Sequence, residues 1–306
     1  MVRPDASVVE VPGPWQHRAV AANGARFHVA ECGSGPLVLL LHGFPEFWWA
    51  WRHQLVSLAE AGYRAAAMDL RGYGGSDKPP RGYDPVTLAG DVAGVIRSLG
   101  EPAAVVVGHG WGGLLGWTLA VHQPRLVRRL VVVATAHPRR LRQALLTAPR
   151  QAAAGRHALV MQPPWLPERA LVEDGGATVP RLLQAWAAPG WPDAESVRRY
   201  REAVQIPGVA HCAAEYYRWA VRSVPRPDGL RYARRMRQPV RVPVLQLHGS
   251  ADRALLPSTA AGSGRYVAGP YRWRLLDGVG HFPHEEAPER FDAELLRWLA
   301  DPEVDR

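Results

Sequence analysis

"AAVVVGHGWGG", residues 103–113, opens as an apolar β-run, closes on Gly108-His109 and gives way to a helix starting at Trp111. A sharp turn of this kind between strand and helix holds its central residue away from the backbone, where a nucleophile normally stands. Here that residue is Gly110, which has no side chain. The residue before it, His109, is expected to point into the core.

The same strand-then-helix pattern extends on both sides. "PLVLLLHG" (36–43), "YRAAAMDLRG" (63–72) and "RLVVVATAHP" (129–138) are continuous apolar runs, as expected of strands covered on both faces. Helical segments are expected around 51–61, 86–98 and 111–122. Such alternation implies a mostly parallel sheet flanked by helices, an α/β fold. "HRAVAANGARFHVAE" (17–31) alternates about Asn23-Gly24, a hairpin signal because a type I′ turn needs positive φ at both central residues. From about 139 to 240 strand-like runs stop, and tryptophan, proline and arginine rise. "VRVPVLQLHGSAD" (240–252) and "YRWRLLDGVGHF" (271–282) then resume the strand pattern, and an amphipathic helix is expected near 288–300. The expected organisation is one core built from 1–138 and 241–306, with a helical cap or lid at 139–240 inserted between the sixth and seventh strands.

Composition narrows the class. The chain of 306 residues is 47% hydrophobic and 21% charged, which fits a globular domain. No apolar stretch approaches the ~18–20 residues of a membrane span, and "MVRPDASVVEVPGPW" (1–15) lacks the apolar core of a secretory leader. No membrane partner and a cytoplasmic location are the default expectations. Cys32 and Cys212 are too few and too far apart for a disulfide framework or a zinc site. Neither metal-ligand spacing nor a phosphate-binding glycine motif occurs, so no metal or organic cofactor is expected. The formal charge of +9 comes almost wholly from arginine, since Lys78 is the one lysine. The arginine runs lack interleaved stacking aromatics, so no nucleic-acid partner is expected. An anionic or polar aromatic ligand is the alternative reading of the charge. Oligomeric state is left open, with a homodimer as one option.

In parallel sheets ligands sit at the carboxyl ends of the strands. His42-Gly43, Gly110, Asp252 and His281 each follow a strand. His281 in "GVGHF" and Asp252 in "HGSAD" suit an acid–base pair. The carboxylate keeps one ring nitrogen protonated and leaves the other as a base. His284, Glu285 and Glu286 read as solvated residues at a helix start. The tryptophans at 48, 49, 51, 165, 186, 191 and 219 divide between an aromatic pocket and the core.

Five stretches carry a family resemblance: "LHGFPEFWWAWRHQL" (41–55), "DLRGYGGSDKPPRGYD" (69–84), "VGHGWGG" (107–113), "HGSADRALLP" (248–257) and "GVGHFPHEEAPE" (278–289). In this order the chain resembles an α/β-hydrolase of the epoxide hydrolase and haloalkane dehalogenase type, above all an actinobacterial group of epoxide hydrolase-like proteins. The resemblance implies an α/β-hydrolase fold with a helical cap. It implies an oxyanion hole made by the N–H groups of Phe44 and Trp111, and a cis Pro45 in the His42-Gly43-Phe44-Pro45 loop. It also implies an aspartate at position 110 that attacks the epoxide carbon and forms an ester, which a histidine-activated water hydrolyses. Two cap tyrosines would donate hydrogen bonds to the epoxide oxygen. "AAEYYRWAVRS" (213–223) resembles one of those cap motifs, with Tyr216 or Tyr217 as donor. The stretch matching the other, "HALVMQPPW" (157–165), has no tyrosine.

Position 110 and the second cap motif therefore depart from the family pattern. Two functions are compatible with this. One is a nucleophile-less, cofactor-independent enzyme whose His281–Asp252 pair acts as acid and base on a hydrophobic or aromatic, natural-product-like small molecule. Its chemistry would be epoxide opening by water, or by a carbon or oxygen of the substrate with C–C or C–O bond formation and cyclisation. The other is a catalytically dead protein of the same fold that binds a small molecule or a protein partner in the old pocket.

Overall fold

Eight short segments, most of them apolar, become the eight strands of one sheet: β1 (Gln16–Ala22), β2 (Ala25–Cys32), β3 (Leu37–Leu41), β4 (Arg64–Met68), β5 (Ala104–His109), β6 (Val127–Val133), β7 (Val244–Gly249) and β8 (Tyr271–Leu276). Their spatial order is β1-β2-β4-β3-β5-β6-β7-β8. β1 pairs antiparallel with β2, and β2 with β4; every pairing from β4 to β8 is parallel. The structure is a computed structural model that describes residues 4–305. The first three residues of the leader reading lie outside the described residues.

The hairpin turns where expected. Ala22 faces Ala25 across Asn23 and Gly24, whose φ values are 46° and 74°. β3, β5 and β7 are buried along their whole length, whereas the edge strand β8 is largely half-buried or exposed. Several strands are shorter than their apolar runs. β4 ends at Met68 and β6 at Val133, and the residues beyond them turn into loops along the carboxyl edge of the sheet.

Helices α1 (Arg52–Glu60), α2 (Pro85–Ser98) and α3 (Trp111–His122) connect the first strands. Between β6 and β7 run α4 (Pro138–Thr147), α5 (Pro149–Ala154), α6 (His157–Val160), α7 (Leu166–Gly176), α8 (Thr178–Trp186), α9 (Ala194–Gln205), α10 (Val209–Arg222) and α11 (Pro227–Arg235). The chain closes with α12 (Pro257–Ala260), α13 (Pro283–Glu286) and α14 (Pro288–Ala300). Among the described residues no helix is long and apolar enough to cross a membrane.

α3 is buried almost all round, and small residues let it approach the sheet. A Cβ on Gly108 would lie 2.3 Å from Gly112 O, and one on Gly112 would lie 2.2 Å from Leu41 O. Both contacts are with backbone, so these two glycines are required by the strand–helix approach. Gly110 differs. Its φ of 52° and ψ of −114° are strained for a residue with a side chain, but an added Cβ would meet only Gly43 Cα, at 3.5 Å. Packing leaves room at 110; only the backbone conformation favours glycine there.

Candidate active site

The parallel strands deliver Phe44, Gly110, Thr135, Asp252 and His281 to one rim. Asp252 is 3% exposed, and its Oδ2 lies 2.8 Å from Nδ1 of His281. Its Oδ1 accepts the N–H groups of Ala254 and Leu255 at 2.8 and 2.9 Å. His248 adds a further donor. Its Nε2 lies 2.8 Å from Leu255 O, which only accepts, so this nitrogen carries a proton, and it also lies 3.1 Å from Asp252 Oδ2. Burial alone would raise the Asp252 carboxyl, but the His281 charge and the hydrogen bonds from His248 and His281 hold it well below the usual carboxylate range. An ionised Asp252 fixes the proton of His281 on Nδ1 and leaves Nε2 with a lone pair.

The loop bearing His281 is held by a series of backbone hydrogen bonds. Its N–H donates to Trp186 O at the end of α8 at 3.1 Å. Glu286 accepts the flanking N–H groups of Gly280 and Phe282, both at 2.8 Å, and that of Ala188 at 2.9 Å. The carbonyl of His281 takes a hydrogen bond from His109 Nε2 at 2.9 Å. The other ring nitrogen of His109 lies 2.7 Å from Glu46 Oε2. Both partners are acceptors, so His109 is an imidazolium. Burial opposes that charge, but Glu46 raises the His109 pKa. His109 thus faces the core, beneath Gly110, and braces the His281 loop from behind.

The expectation that residues 284–286 are solvated is overturned. His284 is fully buried against Trp51, with ring centroids 4.3 Å apart. Glu285 is buried too; it pairs with Arg52 at 2.6 Å and accepts from Tyr200. Burial, against the Arg52 charge, pushes Glu285 up to about 7. Among the described residues Glu46, His109 and His284 form one group with donor atoms suited to a metal, all within 4.8 Å of one another. Both His109 nitrogens and one Glu46 oxygen are already committed to hydrogen bonds there.

The loop after β3 also takes its shape from hydrogen bonds. His42 Nε2 accepts from Leu70 N at 3.0 Å, so its Nδ1 is the donor to Gly43 O at 2.7 Å. Gly43 N donates to Glu46 Oε2 at 2.7 Å, and Gly112 N to His42 O at 3.1 Å. The Phe44–Pro45 peptide is cis. Among the described residues no protein acceptor takes the N–H of Phe44 or of Trp111. They flank Gly110, whose carbonyl receives the Thr135 hydroxyl at 2.7 Å.

Above this rim lies a cavity of about 220 Å³, walled by Phe44, Gly110, Trp111 and His281 from the sheet side and by His157, Trp186 and Tyr217 from the helices. Tyr217 faces it, 5.1 Å from the Trp111 ring and 5.6 Å from that of Phe44. Its neighbour Tyr216 is buried away from the cavity and donates to Arg71 O at 2.8 Å. Of the seven tryptophans singled out above, Trp186 lines the cavity, Trp48 and Trp51 are core, and Trp165 is 80% exposed. Among the described residues no lysine or arginine lines this cavity. Sequence reasoning passed over His157.

Residues 38–294 match the family described as the alpha/beta hydrolase family. A protein of Bacillus subtilis named AB hydrolase superfamily protein YfhM is 33% identical over 285 residues, covering 92% of this chain and 96% of that one. Epoxide hydrolase A of Mycobacterium tuberculosis is 30% identical over 320 residues, covering 94% and 98%. A variant of an epoxide hydrolase from Bacillus megaterium has been solved with its product (R)-3-[1]naphthyloxy-propane-1,2-diol. It matches with a TM-score of 0.82 at 26% identity, over 93% of this chain and all of that one.

Proposed function

This chain belongs to the alpha/beta hydrolase family, with epoxide hydrolase-like relatives, and we propose that it opens epoxides of hydrophobic or aromatic molecules without a covalent enzyme intermediate. One observation carries the reading. The ionised Asp252 holds His281 at 2.8 Å with its Nε2 free, beside a Gly110 that leaves open space where a side chain would fit. The helices α4–α11 serve as the lid that closes the apolar side.

In this reading Nε2 of His281 takes a proton from water, or from an acidic O–H or C–H of the substrate. The oxygen or carbon so freed attacks an epoxide carbon, and the ring C–O bond breaks. The developing alkoxide takes hydrogen bonds from the Tyr217 hydroxyl or from the N–H groups of Phe44 and Trp111, and then recovers the proton from His281. With water the product is a diol; with an internal nucleophile it is a new ring.

Magnitudes favour the internal nucleophile. Losing the nucleophile of a triad enzyme costs about 10⁴–10⁶ in turnover, while an oxyanion hole and binding retain about 10³–10⁴ over water. A well-oriented intramolecular nucleophile has an effective molarity of about 10⁵–10⁸ M, enough to offset that loss. The space beside Gly110 suits a substrate that folds back on its own epoxide, as in the cyclisation of a natural product.

The test is turnover of aryl glycidyl ethers, and of aromatic epoxides bearing a pendant hydroxyl, by wild type and His281→Gln. The reading expects wild-type turnover that falls at least about 100-fold in the variant. Equal rates in the two proteins would oppose it, and no turnover by either would oppose it and favour a binding protein.

A further inference from the structure

One imidazole in the cavity takes no part in the Asp252 pair. His157 opens α6, with its ring centroid 4.9 Å from that of Trp186 and 5.5 Å from that of Tyr217. Its Nδ1 lies 3.1 Å from Ala154 O. A carbonyl only accepts, so Nδ1 carries the proton. Burial, against the hydrogen bond to Ala154 O, holds the ring below its ordinary pKa and therefore neutral near pH 7. Nε2 is then a bare lone pair, and among the described residues no protein group donates to it.

The other polar groups of the wall are committed or are donors. Gln151 receives Leu256 N and donates to Ala254 O. Thr135 donates to Gly110 O. Tyr217 and the amides of Phe44 and Trp111 offer hydrogens, and His281 Nε2 is the base. The rest of the wall is aliphatic or aromatic. Beside the base itself and the two hydroxyl oxygens, which also donate, His157 Nε2 is the one acceptor-only atom of the wall without a protein partner, in a largely apolar lining with no lysine or arginine.

We propose that His157 Nε2 recognises a hydroxyl of the ligand, so that the cavity selects uncharged aromatic molecules carrying an O–H donor turned towards α6. The proposal rests on the reading of this cavity as the ligand site. A ligand lacking the donor leaves Nε2 desolvated and unpaired, and a polar group left unpaired in a site costs about tenfold or more in affinity.

The experiment needs no turnover, so its failure is separate from that of the epoxide chemistry. Wild type, His157→Phe and His157→Gln are titrated with 1-naphthol, 2-naphthol and their two methyl ethers, following quenching of the tryptophans that line the cavity. We expect at least one naphthol to bind wild type about tenfold tighter than its ether. That preference should vanish in His157→Phe and survive in part in His157→Gln, whose amide oxygen still accepts. Equal binding of naphthol and ether to wild type would overturn the proposal. So would a preference that persists in His157→Phe, an equal loss of both ligands in that variant, or no saturable binding by any of the four.

Discussion

Replacing Gly110 by alanine separates two reasons a glycine can stand in a sharp turn, and the geometry assigns a different outcome to each of its glycine neighbours. At 110 the added Cβ meets only Gly43 Cα, at 3.5 Å, so no packing is lost. What remains is the backbone strain of φ 52° and ψ −114°, about 1–3 kcal/mol. Against this stands a gain of roughly 0.5–1 kcal/mol from the stiffer unfolded chain. The net is a destabilisation of about 0–2 kcal/mol, a fall of a few degrees in Tm. At 108 and 112 the Cβ would sit 2.3 and 2.2 Å from backbone oxygens, so strand and helix must part. Those alanines should cost about 3 kcal/mol or more, or abolish soluble expression. Thermal and urea unfolding of the three variants checks the ordering. Gly110→Asp extends the series to chemistry. The open space accepts the carboxylate, and its attack on an aryl glycidyl ether adds the whole epoxide to the protein. An intact-mass adduct should accumulate when His281→Gln blocks ester hydrolysis. A Gly110→Ala variant as unstable as Gly108→Ala, or a Gly110→Asp/His281→Gln protein that forms no adduct, would refute the reasoning that 110 is a turn cleared of its side chain rather than one that packing keeps bare.

Asp252→Asn should lower kcat by about 10²–10⁴ with little change in KM, because an amide at 2.8 Å no longer enforces the Nδ1-protonated form of His281; steady-state kinetics on any epoxide that wild type opens will read it. Glu286→Gln replaces a carboxylate that accepts three N–H groups with an amide that must turn donors towards one of them. It should cost about 2–4 kcal/mol and lower kcat, measured by melting and by rate. His137 is buried beside Tyr266, and burial, aided by the Arg139 charge, depresses its pKa to about 3. The unfolded chain therefore binds the extra proton between about pH 6.5 and 3, so stability falls as pH drops through that window. By pH 5 the loss is about 2 kcal/mol. Urea unfolding at pH 7.5 and 5 should show this loss in wild type and a smaller one in His137→Phe, and an equal loss in both would contradict the assignment.

Much of the candidate site's geometry was legible because it hangs on signals that are local in the chain. The ends of apolar runs mark the carboxyl edge of a parallel sheet, and Gly110, Asp252 and His281 fall on such ends. The supporting residues were less legible, because their roles depend on segments distant in sequence. A polar string such as His284-Glu285-Glu286 reads as solvated until the loop at 186–188 and α1 are seen to dock on it. Tyr216 and Tyr217 are adjacent on a helix and point about 100° apart, so only the packing of α10 decides which one faces the cavity. His248 sits four residues before Asp252, inside a motif already quoted, yet its donation to that carboxylate depends on how the loop folds back at Leu255. His157 shows another limit. A helical insertion is aligned by the residue type one expects, and a different polar side chain at the same place goes unseen.

The central claim is that no protein atom bonds to the substrate. A single turnover in ¹⁸O water, with wild-type protein in excess over an aryl glycidyl ether, tests it by mass spectrometry of the product. A covalent carboxylate mechanism places an oxygen of the protein in the diol on the first turnover and leaves the label in the protein. This account predicts the opposite: a diol that carries ¹⁸O from the first turnover, or a cyclised product without label, and in either case a protein of unchanged mass. An unlabelled diol together with ¹⁸O in the protein would contradict it.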